Sequence, residues 1–305
     1  MKLRARIATT IENAYYKIRS WYFVSKSIAY FYKDPIDDKS IIPTDEILDK
    51  TKVTCKRVDK NHWEVETAFQ DKTRKARFWF LNRFNPARPT FIYCPPTVGS
   101  AKKFMVGIFL SRWVKRRFNI AFIMPPYYDG KQIYIAKNAD SFHSGQLLIV
   151  NYILSIQECY KVAKELGSKK TIGLGLSMSG IALIWHAYKF NSLDSYLIAM
   201  AIPNLARIMF SSLFEYMIHE FHKRKENPMY EEAFEIKPEA LLKSKNKIHL
   251  LLNKQDSYVN YYVALEFWRD IVEDITTFNV GHISIISLLP ELKNWIKSRA
   301  RELIH

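Results

Sequence analysis

The sequence predicts an α/β fold built on a doubly wound, mostly parallel sheet that begins with antiparallel strands. Short β-rich stretches separated by polar turns come first, at residues 53–57, 62–69 and 77–82. Apolar runs with little alternation follow, and helical patterns lie between them. Such runs are typical of strands that are buried on both faces, and the regular alternation of strand and helix indicates parallel crossovers.

Each element follows from its local pattern. The turns at 59–61 and 71–72 are polar, which favours antiparallel pairing of the first strands. Buried strands are predicted at the apolar runs 90–94, 120–124, 171–176, 195–201, 247–252 and 274–279. Helices are predicted at 101–117, 140–166, 179–190, 258–272 and 283–303. The crossovers between parallel strands are expected to be right-handed.

The interval 203–244 interrupts this alternation because it has no strand pattern. It contains the helix-like stretch RIMFSSLFEYMIHEFHKRK, whose apolar residues fall on one face: Phe210, Leu213, Phe214, Met217 and Phe221. Placed over the carboxyl edge of the sheet, the insertion would form a small helical cap, and an ordinary core helix is the alternative. We therefore predict an N-terminal helical segment, 1–52, packed on or flanking a domain at 53–305 with the cap at 204–246.

Composition restricts the class of protein. The chain has 305 residues, of which 48% are hydrophobic, enough for a large domain with a substantial core. Only 9 Gly and 12 Pro exclude collagen-like and low-complexity classes. Cys55, Cys94 and Cys159 are an odd number without CxxC spacing. They indicate neither a disulfide framework nor a zinc module, and they favour the cytoplasm, a reducing compartment.

The chain is strongly basic, with 46 Lys and Arg against 30 Asp and Glu and a formal net charge of +16. This balance suggests anionic partners such as lipid headgroups, acidic substrates or nucleic acid, of which nucleic acid is the least favoured. The basic runs at 72–77, 115–117 and 222–225 are short and scattered. Such runs are also typical of solvated faces, so charge alone does not choose a partner. The oligomeric state cannot be predicted.

The N-terminal segment is basic and aromatic. Polar residues such as Glu12 and Lys17 interrupt it too often for a signal peptide or a membrane span. Its apolar residues recur at helical spacing, at Ile7, Ile11, Tyr15 and Ile18. This face is typical of a helix that packs on the body of the protein, which is the favoured interpretation, and peripheral contact with the inner surface of an anionic membrane is the alternative.

Residues 171–180, TIGLGLSMSG, combine a buried strand, a turn and the start of a helical pattern. This context indicates a nucleophile elbow, in which Ser177 occupies a strained turn. Such a turn needs small residues two positions before and after the serine, because strand and helix approach closely there. Gly175 meets the first requirement. Ser179 stands at the second, where glycine is usual, and Gly180 follows it.

Two further residues stand directly after predicted strands. Asp256 follows the strand at 247–252, and His282 follows the strand at 274–279. With GLSMSG, NKQDSYV and NVGH in this order, the chain from about residue 53 resembles the α/β-hydrolase superfamily, which has Ser, acid and His in that chain order. In that family the acid can also follow strand six, here 195–201. Residues 201–204 offer no carboxylate, so Asp256 is favoured, and the predicted cap follows strand six.

The resemblance implies a serine hydrolase. Ser177 would be the nucleophile, His282 its general base, and Asp256 the group that orients the imidazole. The backbone N–H of Met178, directly after the nucleophile, would donate to the oxyanion.

The second oxyanion donor belongs in the loop after the strand TFIYC. The family commonly has His-Gly at its start, whereas this chain has Pro95 and Pro96, which lack an N–H. By position Thr97 is the favoured donor, and Val98 comes next. The loop with Tyr127 and Tyr128 follows the strand at 120–124 and resembles a proline-tyrosine loop of some hydrolases. The predicted substrate pocket comprises Val98, Tyr127, Tyr128, Met200, Ile202, Met209 and Phe210.

These residues predict hydrolysis of a carboxylic ester or thioester with a hydrophobic acyl group, on a small-molecule or lipid substrate. Amide hydrolysis and acyl transfer use the same triad and remain alternatives. A catalytically silent binding or scaffold protein is another, supported by Pro95-Pro96 and Ser179. No cofactor or metal is expected, because the triad needs none and His219 and His222 have no placed third ligand.

Overall fold

Nine strands form one sheet in the computed structural model, which describes residues 3, 6–15, 36, 41–96, 109–124, 141–211, 215 and 218–304. The strands are β1 (Lys52–Asp59), β2 (His62–Phe69), β3 (Lys72–Phe80), β4 (Thr90–Cys94), β5 (Asn119–Met124), β6 (Thr171–Leu176), β7 (Ser195–Ala199), β8 (Ile248–Asn253) and β9 (Ile275–Phe278). Their spatial order is β1-β2-β3-β5-β4-β6-β7-β8-β9. The pairs β1–β2, β2–β3 and β3–β5 are antiparallel, and all other pairs are parallel. The predicted fold class, an α/β-hydrolase fold that begins with antiparallel strands, is confirmed.

Helices follow most of the parallel strands. They are α1 (6–15), α2 (Thr44–Lys50), α3 (Arg112–Arg117), α4 (Phe142–Glu165), α5 (Met178–Lys189), α6 (Leu205–Met209), α7 (Phe221–Glu226), α8 (Met229–Glu232), α9 (Tyr261–Trp268) and α10 (Leu289–Glu302), with 3-10 helices at Pro238–Lys247 and Ser284–Leu288. Residues 101–108 of one predicted helix lie outside the described residues.

The sheet has a hydrophobic core on each face. In β4, Ile92 and Cys94 belong to one cluster, together with residues of α4 and α5. Phe91 and Tyr93 belong to a second cluster, together with residues of α3 and α10. Successive side chains of a strand point to opposite faces, so a strand between two helical layers must be apolar throughout. This is why TFIYC shows no alternation.

The predicted continuous helix in the interval 203–244 is wrong. α6 ends at Met209, residues 210, 211, 215 and 218–220 are not helical, and α7 begins only at Phe221. Glu220, with a φ of 51°, adopts a left-handed conformation that a regular helix does not contain. Leu213, Phe214 and Met217 lie outside the described residues, while the rings of Phe210 and Phe221 pack 6.0 Å apart. The domain boundaries and the cap stay predictions.

The described part of the N-terminal segment contacts the domain at two places. In α2, Ile47 and Leu48 are buried in the core, and the N–H of Thr44 donates to the carbonyl of Ala233 at 2.8 Å. α1 lies beside the loop that carries His282. None of the described helices is long and apolar enough to cross a membrane.

Candidate active site

Ser177 occupies a strained turn between β6 and α5. Its φ is 59° and its ψ is −126°, a conformation that costs a non-glycine residue about 1–3 kcal/mol. The surrounding hydrogen bonds maintain it. The N–H of Ser177 donates to the carbonyl of Ala199 at the end of β7 (2.9 Å), and its carbonyl accepts from Gly180 (2.8 Å). Sheet and helix thus fix the serine backbone from both sides.

Two glycines allow the strand and helix to meet at this turn. A Cβ on Gly175 would lie 2.5 Å from the carbonyl oxygen of Ser179, and one on Gly180 would lie 2.7 Å from the Cβ of Ala201. Neither contact is sterically possible without displacement of the helix. The need for small residues is therefore met by Gly175 before the serine and by Gly180, one position later than the usual glycine.

The serine at the position of the usual glycine has contacts that glycine lacks. The buried hydroxyl of Ser179 accepts from the N–H of Leu176 at 2.8 Å. Its one proton has two acceptors within hydrogen-bond distance, the carbonyl oxygens of Cys94 (2.8 Å) and Leu176 (2.9 Å). Ser179 therefore connects the elbow to the end of β4, where the loop predicted to supply the second oxyanion donor begins.

The structure brings together the three side chains predicted for the triad. His282 Nε2 lies 2.7 Å from Ser177 Oγ, and His282 Nδ1 lies 2.7 Å from Asp256 Oδ2. Ser177 follows β6, Asp256 follows β8 and His282 follows β9. The side chains of His282 and Asp256 are 11% and 1% exposed, so water competes little for these hydrogen bonds.

Asp256 can use only one of its oxygens on the imidazole. Its Oδ1 accepts from the backbone N–H groups of Tyr258 (2.9 Å) and Val259 (2.8 Å). Oδ2 is left to accept from Nδ1–H of His282. This arrangement selects the tautomer whose Nε2 lone pair faces the serine hydroxyl. The ring of Tyr258 also packs on the imidazole, with ring centroids 4.7 Å apart.

Two contacts around His282, one with a carboxylate and one with an amide, could not be predicted from any sequence pattern. Glu12 of α1 accepts from the N–H groups of Ile283 and Ser284, and its carboxylate is buried. Burial disfavours the imidazolium, but the negative charges of Asp256 and Glu12 favour it, and the net effect raises the pKa of His282 above its ordinary value. Asn253 donates to the carbonyl of Gly281 at 2.9 Å, which joins the loops that carry Asp256 and His282.

The predicted oxyanion donors are described only in part. Met178 is the first residue of α5, and N–H groups in the first turn of a helix have no intrahelical acceptor. Thr97 and Val98 lie outside the described residues. The loop before them begins with buried Pro95, whose carbonyl accepts from the Tyr152 hydroxyl at 3.3 Å.

The remaining predicted pocket residues form two groups, those outside the described residues and those buried in the core. Tyr127 and Tyr128 lie outside the described residues. The others are at most 6% exposed and belong to the hydrophobic core: Met200, Ile202, Met209 and Phe210. Met200 directly follows β7 with a φ of 55°. Whether these four side chains line an acyl site stays a prediction.

In the described part of the chain, neither a metal cluster nor a buried thiol competes with Ser177 as a reactive group. Within the described ranges there is no group of three or more His, Cys, Asp and Glu residues that could hold a metal ion. Cys94 and Cys159 are buried, and burial raises the pKa of both thiols, so that they are poor nucleophiles.

The similarities found to known proteins are distant. No family model matches the sequence, and no curated protein matches it. Among solved structures, an acylaminoacyl peptidase of Pyrococcus horikoshii has a TM-score of 0.48 at 12% identity over 81% of this chain, which spans 41% of the peptidase chain. A thermostable carboxyl esterase of Bacillus coagulans has a TM-score of 0.49 at 11% identity, covering 79% of this chain and 99% of the esterase. The Pyrococcus furiosus esterase Pf2001 has a TM-score of 0.47 at 15% identity, covering 90% of this chain and 97% of the esterase. The assignment of the fold therefore depends on the strand order and the elbow.

Proposed function

We propose that the chain is a serine hydrolase that cleaves a carboxylic ester or thioester with a hydrophobic acyl group. The observation that carries the proposal is the continuous chain of hydrogen bonds from Asp256 through His282 to Ser177. A serine hydroxyl is a weak nucleophile unless a placed base takes its proton. A strained turn at a helix N-terminus is where such a serine is expected.

The first half of the reaction forms an acyl-enzyme. Ser177 Oγ attacks the carbonyl carbon of the substrate while His282 Nε2 takes the hydroxyl proton. The resulting oxyanion is stabilised by the N–H of Met178 and by a second donor, for which Thr97 is proposed. When the tetrahedral intermediate collapses, the bond to the leaving oxygen or sulfur breaks, and the imidazolium returns its proton to the leaving group.

The second half regenerates the enzyme. Water attacks the acyl carbonyl as His282 again accepts a proton, and the acyl-oxygen bond to Ser177 then breaks. The serine recovers its proton from the imidazolium, and the carboxylic acid leaves. Throughout, Asp256 keeps Nδ1–H directed to itself, so that Nε2 always faces the reacting atoms.

The proposed substrate class comes from the surroundings of the triad and from charge. The chain that follows β7 is apolar and buried at Met200, Ile202, Met209 and Phe210, which favours a hydrophobic acyl group. The net charge of +16 favours an anionic leaving group or a membrane lipid. Three free thiols agree with a proposed site of action in the cytoplasm.

A silent scaffold protein is the alternative from another class. In the sequence it has the support of Pro95-Pro96 and of Ser179. Ser179, however, forms hydrogen bonds to the elbow and to Cys94, so it is compatible with a formed elbow and supports the scaffold alternative less. Acyl transfer shares every step up to the acyl-enzyme and differs only in the acceptor that replaces water.

The test is hydrolysis of the p-nitrophenyl esters of acetic, butyric and octanoic acids and of the matching thioesters, by the wild type and by Ser177→Ala. We expect the octanoyl substrates to react fastest and the variant to be inactive. Equal rates for wild type and variant would refute the serine mechanism, and a preference for acetyl would refute the hydrophobic acyl site. Equal, salt-independent rates on neutral and anionic esters would remove the preference for anionic substrates.

A further inference from the structure

We propose that Glu12, 270 residues before His282 in the chain, is a positioning residue for the catalytic histidine. The inference rests on the proposed function and extends it to the N-terminal helix. Glu12 lies on α1, and its side chain is 6% exposed. A carboxylate is seldom buried unless its oxygens are fully used in hydrogen bonds or ion pairs.

Both carboxylate oxygens of Glu12 are used by the segment directly after His282. Oε1 accepts from the N–H of Ile283 at 2.9 Å, and Oε2 accepts from the N–H of Ser284 at 2.8 Å. These N–H groups begin the 3-10 helix Ser284–Leu288, for which no local side chain serves as a cap. Glu12 supplies from a distant segment what a capping residue normally supplies locally.

The other side of His282 contacts the same helix. The N–H of Gly281 donates to Ser284 Oγ at 2.8 Å and is shared with the hydroxyl of Thr9 at 3.2 Å, and Thr9 Oγ1 lies 3.2 Å from Ser284 Oγ. A Cβ on Gly281 would collide with the Glu12 carboxylate, so glycine at 281 leaves the space that the carboxylate occupies. The residues before and after the histidine are therefore both fixed by one helical turn of α1.

The charge of Glu12 also acts on the imidazole. The negative groups that raise the pKa of His282 are Asp256, which follows β8, and Glu12, from α1. Ser177 and the ring of Tyr258 also contact the imidazole, and neither carries a charge. Loss of Glu12 is thus expected to change both the position and the titration of His282.

The test compares Glu12→Gln with the wild type. The amide keeps one acceptor oxygen, loses the charge, and turns a donor toward one of the two N–H groups. We expect the rate of serine labelling by a fluorophosphonate to fall by about tenfold to hundredfold, the scale of a misplacement near 1 Å. The acid limb of the labelling rate is expected to move to lower pH, because the imidazolium loses a stabilising charge. A cooperative thermal unfolding transition of the variant is the control for its fold.

Two further variants separate positioning from general damage. Gly281→Ala retains Glu12 but displaces its carboxylate, so the same slowing is expected without removal of the acid. Asn13→Ala, at an exposed neighbour on α1, is the matched control and is expected to label at the wild-type rate. Labelling of both Glu12→Gln and Gly281→Ala within twofold of wild type, with unchanged pH dependence, would overturn the proposal.

The titration of His282, followed by NMR and assigned with a His282→Gln variant, gives a readout that does not need catalysis. We expect a lower imidazole pKa in Glu12→Gln than in the wild type, and an unchanged pKa would overturn the proposal. If the wild type is not labelled at all, the proposed function fails, while the titration still decides the role of Glu12.

The opposite face of α1 carries a second inference, because it is apolar and exposed. Leu3, Ile7, Ile11 and Tyr15 recur at every fourth residue and are 70%, 52%, 64% and 50% exposed. The predicted fourth member, Ile18, lies outside the described residues. In the sequence, the basic residues Lys2, Arg4 and Arg6 accompany these apolar residues, and Glu12 is the one acidic residue among the first 15. Glu12 is buried, whereas Arg6 is exposed.

We infer that this outer face of α1 lies on an anionic lipid surface. Apolar residues flanked by basic ones are the pattern of an interfacial helix. The net charge of +16 adds attraction to anionic headgroups. The inner face contacts the segment of His282, so lipid contact would occur on the helix that positions the histidine.

Sedimentation with vesicles tests this surface. We expect the wild type to bind phosphatidylserine-containing vesicles, to bind phosphatidylcholine vesicles weakly, and to be released by salt. An Ile7→Ser/Ile11→Ser variant should remain in the supernatant, and Val58→Ser, at an exposed apolar residue of β1, is the control. No binding by the wild type would overturn the inference, as would equal binding by the double variant. A dimer that the double variant loses would assign the face to a second copy of the chain and also overturn it.

Discussion

Replacement of Asp256 by asparagine should abolish activity while the fold is preserved. Oδ1 of Asp256 accepts from the N–H groups of Tyr258 and Val259. An asparagine must leave its carbonyl oxygen on these two donors, because its NH₂ group cannot accept. The NH₂ group then faces Nδ1 of His282, which must become the acceptor. The proton moves to Nε2, and the imidazole can no longer take the proton of Ser177.

The expected loss follows from this change of tautomer. An imidazole held in the wrong tautomer lowers kcat by about 10⁴-fold. At about 1.36 kcal/mol for each factor of ten, this corresponds to roughly 5 kcal/mol of lost transition-state stabilisation. Stability should change much less, since both backbone N–H groups keep their acceptor.

Asp256→Ala is the comparison that separates the two effects. Alanine leaves both backbone N–H groups without their acceptor, and each unsatisfied buried donor costs about 1–3 kcal/mol. We expect Asp256→Ala to be inactive and clearly destabilised, and Asp256→Asn to be inactive with a melting temperature near that of the wild type. The assays are octanoyl ester hydrolysis and thermal unfolding. Activity of Asp256→Asn within tenfold of the wild type would refute the reasoning.

Three further predictions concern the elbow and the histidine. In Gly175→Ala the new Cβ would lie 2.5 Å from a backbone oxygen, so we expect the helix to shift. Stability should fall by about 1–3 kcal/mol, and labelling of Ser177 should slow by about 10²-fold. Unfolding and labelling rates like those of the wild type would contradict this. Ser179→Ala leaves the buried N–H of Leu176 without its side-chain acceptor. We expect the free energy of unfolding, measured by chemical denaturation, to fall by about 1–3 kcal/mol. An unchanged denaturation midpoint would show that the hydrogen bond to Cys94 is unimportant. The value of kcat/KM should rise with pH through the raised pKa of His282, because only neutral imidazole accepts a proton, and an acid limb centred below the ordinary histidine value would contradict that direction.

Patterns within single segments were sufficient to predict the strands and the places of Ser177, Asp256 and His282 after them. TFIYC shows no alternation of apolar and polar residues because β4 lies between two cores. This pattern is visible in the sequence without tertiary information. The predicted places of Ser177, Asp256 and His282 depended on the same logic. Each follows a buried strand, and the carboxyl ends of parallel strands meet at one edge of the sheet.

Features that depend on distant contacts could not be predicted. In the sequence, Glu12 only interrupts an apolar run, and its contact with the segment of His282 exists only after α1 has docked. Ser179 is a departure from a motif until β4 brings the carbonyl of Cys94 to its hydroxyl.

The wrong helix in the interval 203–244 has a similar cause. Its phenylalanines have helical spacing, but spacing does not reveal that Glu220 adopts a positive φ. Two separate short helices also bring Phe210 and Phe221 into contact, so periodicity alone does not distinguish this arrangement from one helix.

The central claim is that Ser177 is an activated nucleophile. The most direct measurement is the intact mass of the wild type and of Ser177→Ala after exposure to a fluorophosphonate, since labelling requires an activated serine but no knowledge of the substrate. We predict one adduct on the wild type and none on the variant. An unlabelled wild type, or equal labelling of both proteins, would contradict the claim.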